Sequence, residues 1–137
     1  MNKEMTAVIS DFNNILLTLA LNIANICPNS VIGGNIKDIE KQFKKRENFT
    51  KFIDLFCIKV LQYKDEIDEG NDNFFMTKDY SKDLEGQESS AFDYVLSFKS
   101  IWGQLKKENK QIVILNMQML CELSQQYFKY IQSIVKK

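Results

Sequence analysis

Apolar residues recur every three or four positions through most of this 137-residue chain, and few residues interrupt them. The first such run places seven apolar side chains on one helical face between Met5 and Ile26. Such spacing is the period of an α-helix. The chain has one proline, Pro28, and five glycines, so few positions break this pattern. We therefore predict an all-α fold, and the length indicates a single domain covering residues 1–137.

The pattern predicts a compact bundle of about five helices. The first should run from about Lys3 to Ile26 and end before the proline, because proline disfavours helical backbone in the preceding residue. Asn35 is a predicted N-cap for a short second helix, and Asn48 for the third. Asparagine suits this position because its side-chain oxygen accepts a hydrogen bond from the first turn.

The third and fourth helices should be separated by a long acidic loop. Periodicity fails from about Asp65 to Ser89, where turn-forming and acidic residues dominate. Residues 65–93 contain ten acidic and two basic side chains, and the net charge of the whole chain is zero. We predict a solvated acidic loop, and as an alternative a charge polarity that orients partners or self-assembly.

The last two helices carry the broadest apolar stripes. Ser90 should cap the fourth helix, whose stripe continues to Leu105, and Asn109 the fifth, which should run to about Val135. The fifth repeats apolar residues every seven positions, but its stripe is wider than a two-stranded coiled coil needs. Part of that stripe could bind a partner. The predicted interface residues are Trp102, Leu120, Leu123, Tyr127, Tyr130 and Ile134.

The composition argues against most catalytic chemistry. Histidine is absent, which removes the commonest general base near neutral pH and the commonest metal ligand. The three cysteines are far apart and form no CxxC pair, so we predict buried thiols in a reducing compartment. An EF-hand starting at Asp65 fails because Ile67 and Met76 occupy ligand positions. We predict no catalytic residue, no cofactor and no metal; carboxylate-only catalysis is the remaining enzymatic alternative.

The segment 37–51 offers an alternative function. It carries six basic and three acidic residues, and a basic patch of this kind can bind a phosphate backbone. The predicted nucleic-acid contacts are Lys41, Lys44, Lys45 and Arg46. The three acids dilute the patch, and no nucleic-acid-binding motif accompanies it.

No run of 18 apolar residues occurs, so we expect no membrane span. The apolar segment from Ile15 to Ile26 looks faintly like the core of a signal peptide. It is interrupted by Asn22 and Asn25 and preceded by acidic residues. We therefore expect a cytoplasmic protein.

Two segments, Tyr63 to Leu84 (YKDEIDEGNDNFFMTKDYSKDL) and Phe98 to Leu105 (FKSIWGQL), resemble small uncharacterised helical proteins of nucleocytoplasmic large DNA viruses. The resemblance implies a protein made in the infected host cytoplasm and incorporated into the virion. It carries no role for any residue.

Together these features predict a non-catalytic helical module for protein interaction or structure, and the resemblance implies a minor structural protein of a virus. It would bind a protein partner or its own copies through an apolar helix face and a charge-asymmetric surface.

Overall fold

Two long helices from the two halves of the chain form the centre of the fold. The computed structural model describes residues 2–78 and 95–135. α1 spans Lys3–Ile26, and the last helix, α7, spans Lys107–Val135. Their contact is the most extensive between any two described elements. Each buries one apolar stripe against the other and against the shorter helices.

Five shorter α-helices complete the described part of the chain, and 3-10 turns join several of them. They are α2 (Val31–Gly34), α3 (Ile36–Lys44), α4 (Lys51–Lys59), α5 (Lys64–Glu69) and α6 (Asp72–Thr77). The described residues form seven α-helices and no β-strand, so the predicted all-α bundle is confirmed. Four of them, α1, α3, α4 and α7, correspond to predicted helices, whereas α2, α5 and α6 were not predicted.

The ends of α1 follow from local hydrogen bonds. Asn2 caps its start, accepting a 2.8 Å hydrogen bond from the amide of Met5. The helix ends at Ile26, two residues before the proline, as predicted. Ser30 then caps α2, accepting a 3.0 Å bond from the amide of Gly33.

Two predicted caps act differently from expectation. Asn35 stands at the N-cap position of α3, but its side chain donates to the carbonyl of Val31 instead of accepting from α3. Asn48 lies in a 3-10 turn before α4, and its amide donates to the Gln42 carbonyl at 2.9 Å. Both side chains therefore close the preceding turn, a role that competes with capping in asparagine.

The prediction of a loop starting at Asp65 is wrong for residues 65–77, which belong largely to α5 and α6. Each short helix is anchored by one fully buried side chain, Ile67 in α5 and Phe75 in α6. Gly70 ends α5 with a left-handed φ of 65°, and Asn71 caps α6. Periodicity cannot reveal helices with a single core residue. Residues 79–94, including the predicted cap Ser90, lie outside the described residues.

The predicted fourth helix is wrong between Phe98 and Leu105. Two 3-10 turns, Phe98–Ser100 and Trp102–Gln104, occupy this segment. Four buried apolar side chains stand three or four positions apart here, namely Phe98, Ile101, Trp102 and Leu105. Residues three apart share a face in a 3-10 turn as well as in an α-helix, so the pattern fits both. α7 then begins at Lys107, two residues before the predicted cap Asn109.

α1 has the length and apolar composition of a membrane-crossing helix. In this fold eight of its side chains are buried against the rest of the chain. Core helices of soluble proteins and signal sequences share the same length and composition. The prediction of no membrane span therefore stays a prediction.

Candidate interaction surface

Three positions of the seven-residue repeat of α7, Val113, Leu120 and Tyr127, are buried within the chain, and α1 is the most extensive neighbour of α7. A cavity of about 260 Å³ is lined by Ile23 of α1 together with Val113 of α7. Another, of about 360 Å³, is lined by Ile15 together with Leu123. Residues early in α1 therefore meet residues late in α7, and the two helices run antiparallel. The heptad positions pack inside one chain, which leaves little of them for a partner.

Three of the predicted interface residues are consequently unavailable. Trp102, Leu120 and Tyr127 are buried in the core of the chain, so their assignment to a surface is wrong. Leu123 and Tyr130 are half-buried, and Ile134 is exposed. The physical reason is that a heptad pattern identifies which residues are apolar and aligned but does not identify whether the partner helix is intramolecular.

Trp102 shows the buried arrangement most clearly. Its ring stacks on Phe75, with centroids 5.0 Å apart and planes 16° from parallel. The indole N–H donates to the carboxylate of Asp72 at 2.6 Å. The ammonium of Lys110 lies 5.8 Å from the ring centroid and 3.8 Å from the same carboxylate. The tryptophan thus holds α6 against the 3-10 segment and finds a partner for its N–H.

A second interior region, between α4 and α7, contains Tyr127, Cys57 and Cys121. The Tyr127 hydroxyl donates to Asp54 of α4 at 2.6 Å, and burial with this hydrogen bond raises the pKa of the phenol. Burial raises the pKa of the Cys57 and Cys121 thiols to about 12, with the Asp54 charge adding to it at Cys57 and that of Asp68 at Cys121. Such thiols stay protonated at neutral pH and are poor nucleophiles.

The apolar face of α7 that remains exposed lies one step around the helix from the heptad positions. Ile112, Leu115 and Met119 are 44%, 57% and 46% exposed. They follow i, i+3, i+7 spacing and so line up along one side of α7. Ile112 lines the 260 Å³ cavity and Met119 the 360 Å³ cavity. We call this stripe with its two cavities the α1–α7 groove.

Polar and apolar residues of α1 complete the groove. Asn22 and Ile26 line its first cavity, and Asp11 lines its second together with Glu122 of α7. A third cavity, of about 490 Å³, adjoins the first at Ile26 and lies between residues 26–31 and 100–104. The groove therefore combines an exposed apolar stripe with cavities that polar residues border, a composition typical of protein-binding surfaces.

The basic residues predicted to contact nucleic acid lie together beside α1. Lys41 and Lys44 are on α3, which packs on α1, and Lys45 and Arg46 follow directly. All four side chains are exposed, and none makes an ion pair with any residue of the described ranges. We call these four residues the basic edge.

An acidic counterpart lies beside α7. Asp65, Glu66 and Glu69 of α5 are exposed and form no ion pair within residues 2–78 and 95–135. α5 packs on α7, where Gln118 donates to the Ile67 carbonyl at 3.2 Å. We call the three acids the acidic edge. The two edges thus belong to elements that pack on different members of the central helix pair.

One further charged residue was missed in the sequence. Lys59 of α4 is 1% exposed and is engaged by another group. Its position three residues after Phe56 places it on the apolar face of α4, so the spacing already indicated burial. A buried ammonium needs such a partner because its desolvation is costly.

In the part of the chain that the structure describes, no three acidic or cysteine side chains cluster as metal ligands would. No family model, curated protein or solved structure matches this chain. The groove and the two edges are therefore the features of the molecule from which a function can be inferred.

Proposed function

We propose that this protein is a non-catalytic helical interaction module whose partner is a second copy of the same chain. The observation that carries the proposal is the exposed apolar stripe of Ile112, Leu115 and Met119 along the α1–α7 groove. Removing aligned apolar side chains from water is the main driving force for association. A contiguous apolar surface with a polar rim is typical of such interfaces.

Charge complementarity favours a second copy over an unrelated partner. The chain has no net charge, yet the basic edge, on and just after α3, and the acidic edge on α5 carry exposed charges of opposite sign that form no ion pair within the described residues. A second copy presents the complement of each edge, whereas a uniformly acidic or basic partner would match one edge and be repelled by the other. A symmetric pair would also bury the same groove twice.

The test replaces two apolar side chains of the groove by charged glutamate side chains. In the double variant Leu115→Glu/Met119→Glu, we expect the dimer to dissociate at least about a hundredfold more readily, because a two-fold interface would bury four unpaired carboxylates. Light scattering coupled to size-exclusion chromatography measures the mass, and sedimentation equilibrium the dissociation constant. Circular dichroism checks that the variant keeps its helices.

Ile58→Glu is the matched control. Ile58 is 45% exposed on α4 and does not line the groove, so the same kind of substitution should leave the dimer intact. A wild-type chain that stays monomeric up to its solubility limit contradicts the proposal. Equal weakening by the Ile58 and the groove substitutions contradicts it as well.

The basic edge supports a second candidate, nucleic-acid binding. Four exposed cations without ion-pair partners in the described residues can each contact a phosphate. Binding measured by fluorescence anisotropy on duplex DNA and single-stranded RNA should then fall steeply between about 50 and 200 mM salt. Absence of binding at the lower salt concentration would eliminate this candidate.

The place of the module in a virus particle, and its location in a host cytoplasm, rest on the sequence resemblance alone and stay predictions. A minor structural protein of a virion would be expected to use self-association of this kind.

A further inference from the structure

We propose that dimerisation of this protein is linked to proton uptake, because Glu122 of each copy faces a carboxylate of the other when two α1–α7 grooves meet. The association of two copies therefore strengthens as the pH falls. This inference rests on the proposed function and deepens it, because it specifies what regulates the same surface.

Acidic side chains border the exposed apolar stripe at both of its ends. Glu122 follows Met119 by three residues and Glu108 precedes Ile112 by four, so both continue the stripe along the same side of α7. Asp11 of α1 lies across the groove from Glu122, since both line the 360 Å³ cavity. Asp11 and Glu108 are exposed and form no ion pair with any described residue. A copy seated on the stripe therefore meets carboxylates beside it.

The one cation paired with Glu122 does not remove this excess of negative charge. Lys64 of α5 lies 3.2 Å from the Glu122 carboxylate, but its ammonium also pairs with Asp68, and the Glu122 side chain remains 61% exposed. The hydrogen bonds of Lys64 to Asp68 and to Glu122 raise its pKa, so it stays charged across the neutral and mildly acidic range. Lys129 and Glu4 stand two turns further along the groove, roughly 10 Å away, and are of opposite sign.

At the other end of the stripe, the neighbouring lysines do not pair with Glu108. Lys106 and Lys107 come directly before it and Lys110 two positions after it. Residues one or two positions apart do not face each other along a helix. Lys110 instead lies 3.8 Å from the carboxylate of Asp72. Glu108 is therefore open to a charge on the second copy.

Symmetry makes Glu122 face a carboxylate whichever way the grooves meet. A two-fold axis in the contact plane runs either along the helices or across them. If it runs along them and between α1 and α7, Glu122 faces Asp11, which lies across the same cavity. If it runs along the stripe of α7, Glu122 and Glu108 each face their own equivalents. If it crosses the stripe at Leu115, Glu122 faces Glu108, because the two stand seven residues after and before it.

Facing carboxylates make the dimer bind protons more tightly than the separate copies do. Two carboxylates in contact repel each other, so one of them takes up a proton and donates a hydrogen bond to the other. Each arrangement contains two such pairs. Because the dimer then binds more protons than two monomers, lowering the pH favours it. The chain has no histidine, so no side chain with an ordinary titration range changes its charge substantially between about pH 7.5 and about pH 5.5.

The test compares the dissociation constant at about pH 7.5 and about pH 5.5, by sedimentation equilibrium in low salt. The wild-type dimer should be at least about tenfold tighter at the lower pH, since each pair takes up a proton. Glu122→Gln removes the charge and keeps an oxygen that can accept from Lys64. This variant should be at least about fivefold tighter than the wild type at the higher pH. The ratio of its two dissociation constants should fall to about fourfold or less.

Two further variants identify the carboxylate that Glu122 faces. Asp11→Asn should reproduce the effect of Glu122→Gln if α7 meets α1 of the second copy. Glu108→Gln should reproduce it, in full or in part, if α7 meets α7 of the second copy. If neither variant changes the pH dependence, the facing pairs do not exist and the inference is overturned.

Glu47→Gln is the matched control. Glu47 is exposed, lines none of the three cavities and forms no ion pair with a described residue, so both dissociation constants should match those of the wild type. An equal effect of Glu47→Gln and Glu122→Gln overturns the inference. A wild-type dimer of equal affinity at both pH values also overturns it, and the proposed function then stands. If the wild type and Glu122→Gln are both monomeric at both pH values, with normal helix content by circular dichroism, the proposed function fails as well.

Discussion

At the residue scale, Trp102 shows that a side chain suited to an interface can equally fill a position in the core. As the chain's single tryptophan it resembles an interface anchor, since tryptophan is enriched at binding hot spots. In the fold its ring is fully enclosed, stacked on Phe75 and hydrogen-bonded to Asp72. The same amphipathic character that suits an interface also suits a core position with one polar neighbour.

Truncation of this side chain should therefore affect stability. We expect Trp102→Ala to lower the free energy of unfolding by about 3–5 kcal/mol, because it removes a large, fully buried ring and leaves a cavity. Urea denaturation followed by circular dichroism at a fixed protein concentration measures the change. Met76→Ala, on the same helix as Phe75 but 41% exposed, should change it by about 0.5 kcal/mol or less. If the substitution left the free energy of unfolding unchanged but abolished the dimer, Trp102 would be assigned to the interface and not to the core.

For the two predicted asparagine caps, the position near a helix start could be predicted from the residue type, but the hydrogen-bond partner could not. Asn35 and Asn48 both lie close to helix starts, as the sequence predicted, yet both side chains bond backward to carbonyls. Asparagine can accept from a following amide or donate to a preceding carbonyl. The choice depends on the path of the chain before it, which a single residue does not encode.

At the scale of elements, the connection from α1 into α2 depends on one glycine. A Cβ on Gly33 would lie 2.5 Å from the Cys27 carbonyl oxygen and 2.6 Å from that of Pro28. Both atoms are backbone, so they cannot move aside as a flexible side chain would. A Cβ on the neighbouring Gly34 would meet nothing within 4 Å. The backbone around Gly33 therefore excludes a Cβ, whereas that around Gly34 accommodates one, so the two positions form a matched comparison.

We expect Gly33→Ala to destabilise the protein by about 1–3 kcal/mol through this overlap. Gly34→Ala should be neutral or stabilising by up to about 1 kcal/mol, because alanine restricts the unfolded chain without a clash. Thermal unfolding of both variants beside the wild type gives the comparison. Equal effects of the two substitutions would show that the close approach at position 33 does not decide stability.

The elements that could be predicted are those with several core residues. α1 and α7 each bury seven or more side chains, and both were apparent from spacing alone. α5 and α6 bury one each, and the 3-10 turns around Trp102 share their three-residue spacing with a helix. Short elements of this kind are determined by their tertiary contacts more than by their own sequence.

At the scale of the whole molecule, the charge asymmetry was predictable but the apolar surface was not. The sequence already separated a basic segment from an acidic one, and the fold packs these against different helices of the central pair. The exposed stripe on α7 is offset from the heptad positions that spacing had identified. Which apolar face stays outside depends on where α1 packs, and that is a long-range contact.

The pairing of α1 with α7 also determines when α1 can be packed during synthesis of the chain. Roughly 80 residues separate the end of α1 at Ile26 from the start of α7 at Lys107. At about 5–20 residues per second, a ribosome needs roughly 4 to 16 seconds to make that interval. Throughout this time the nascent α1 has no α7 to cover it, and its length and composition match those of a membrane-crossing helix or a signal sequence. The apolar face that α1 buries against α7 can therefore be covered only after this interval has been translated.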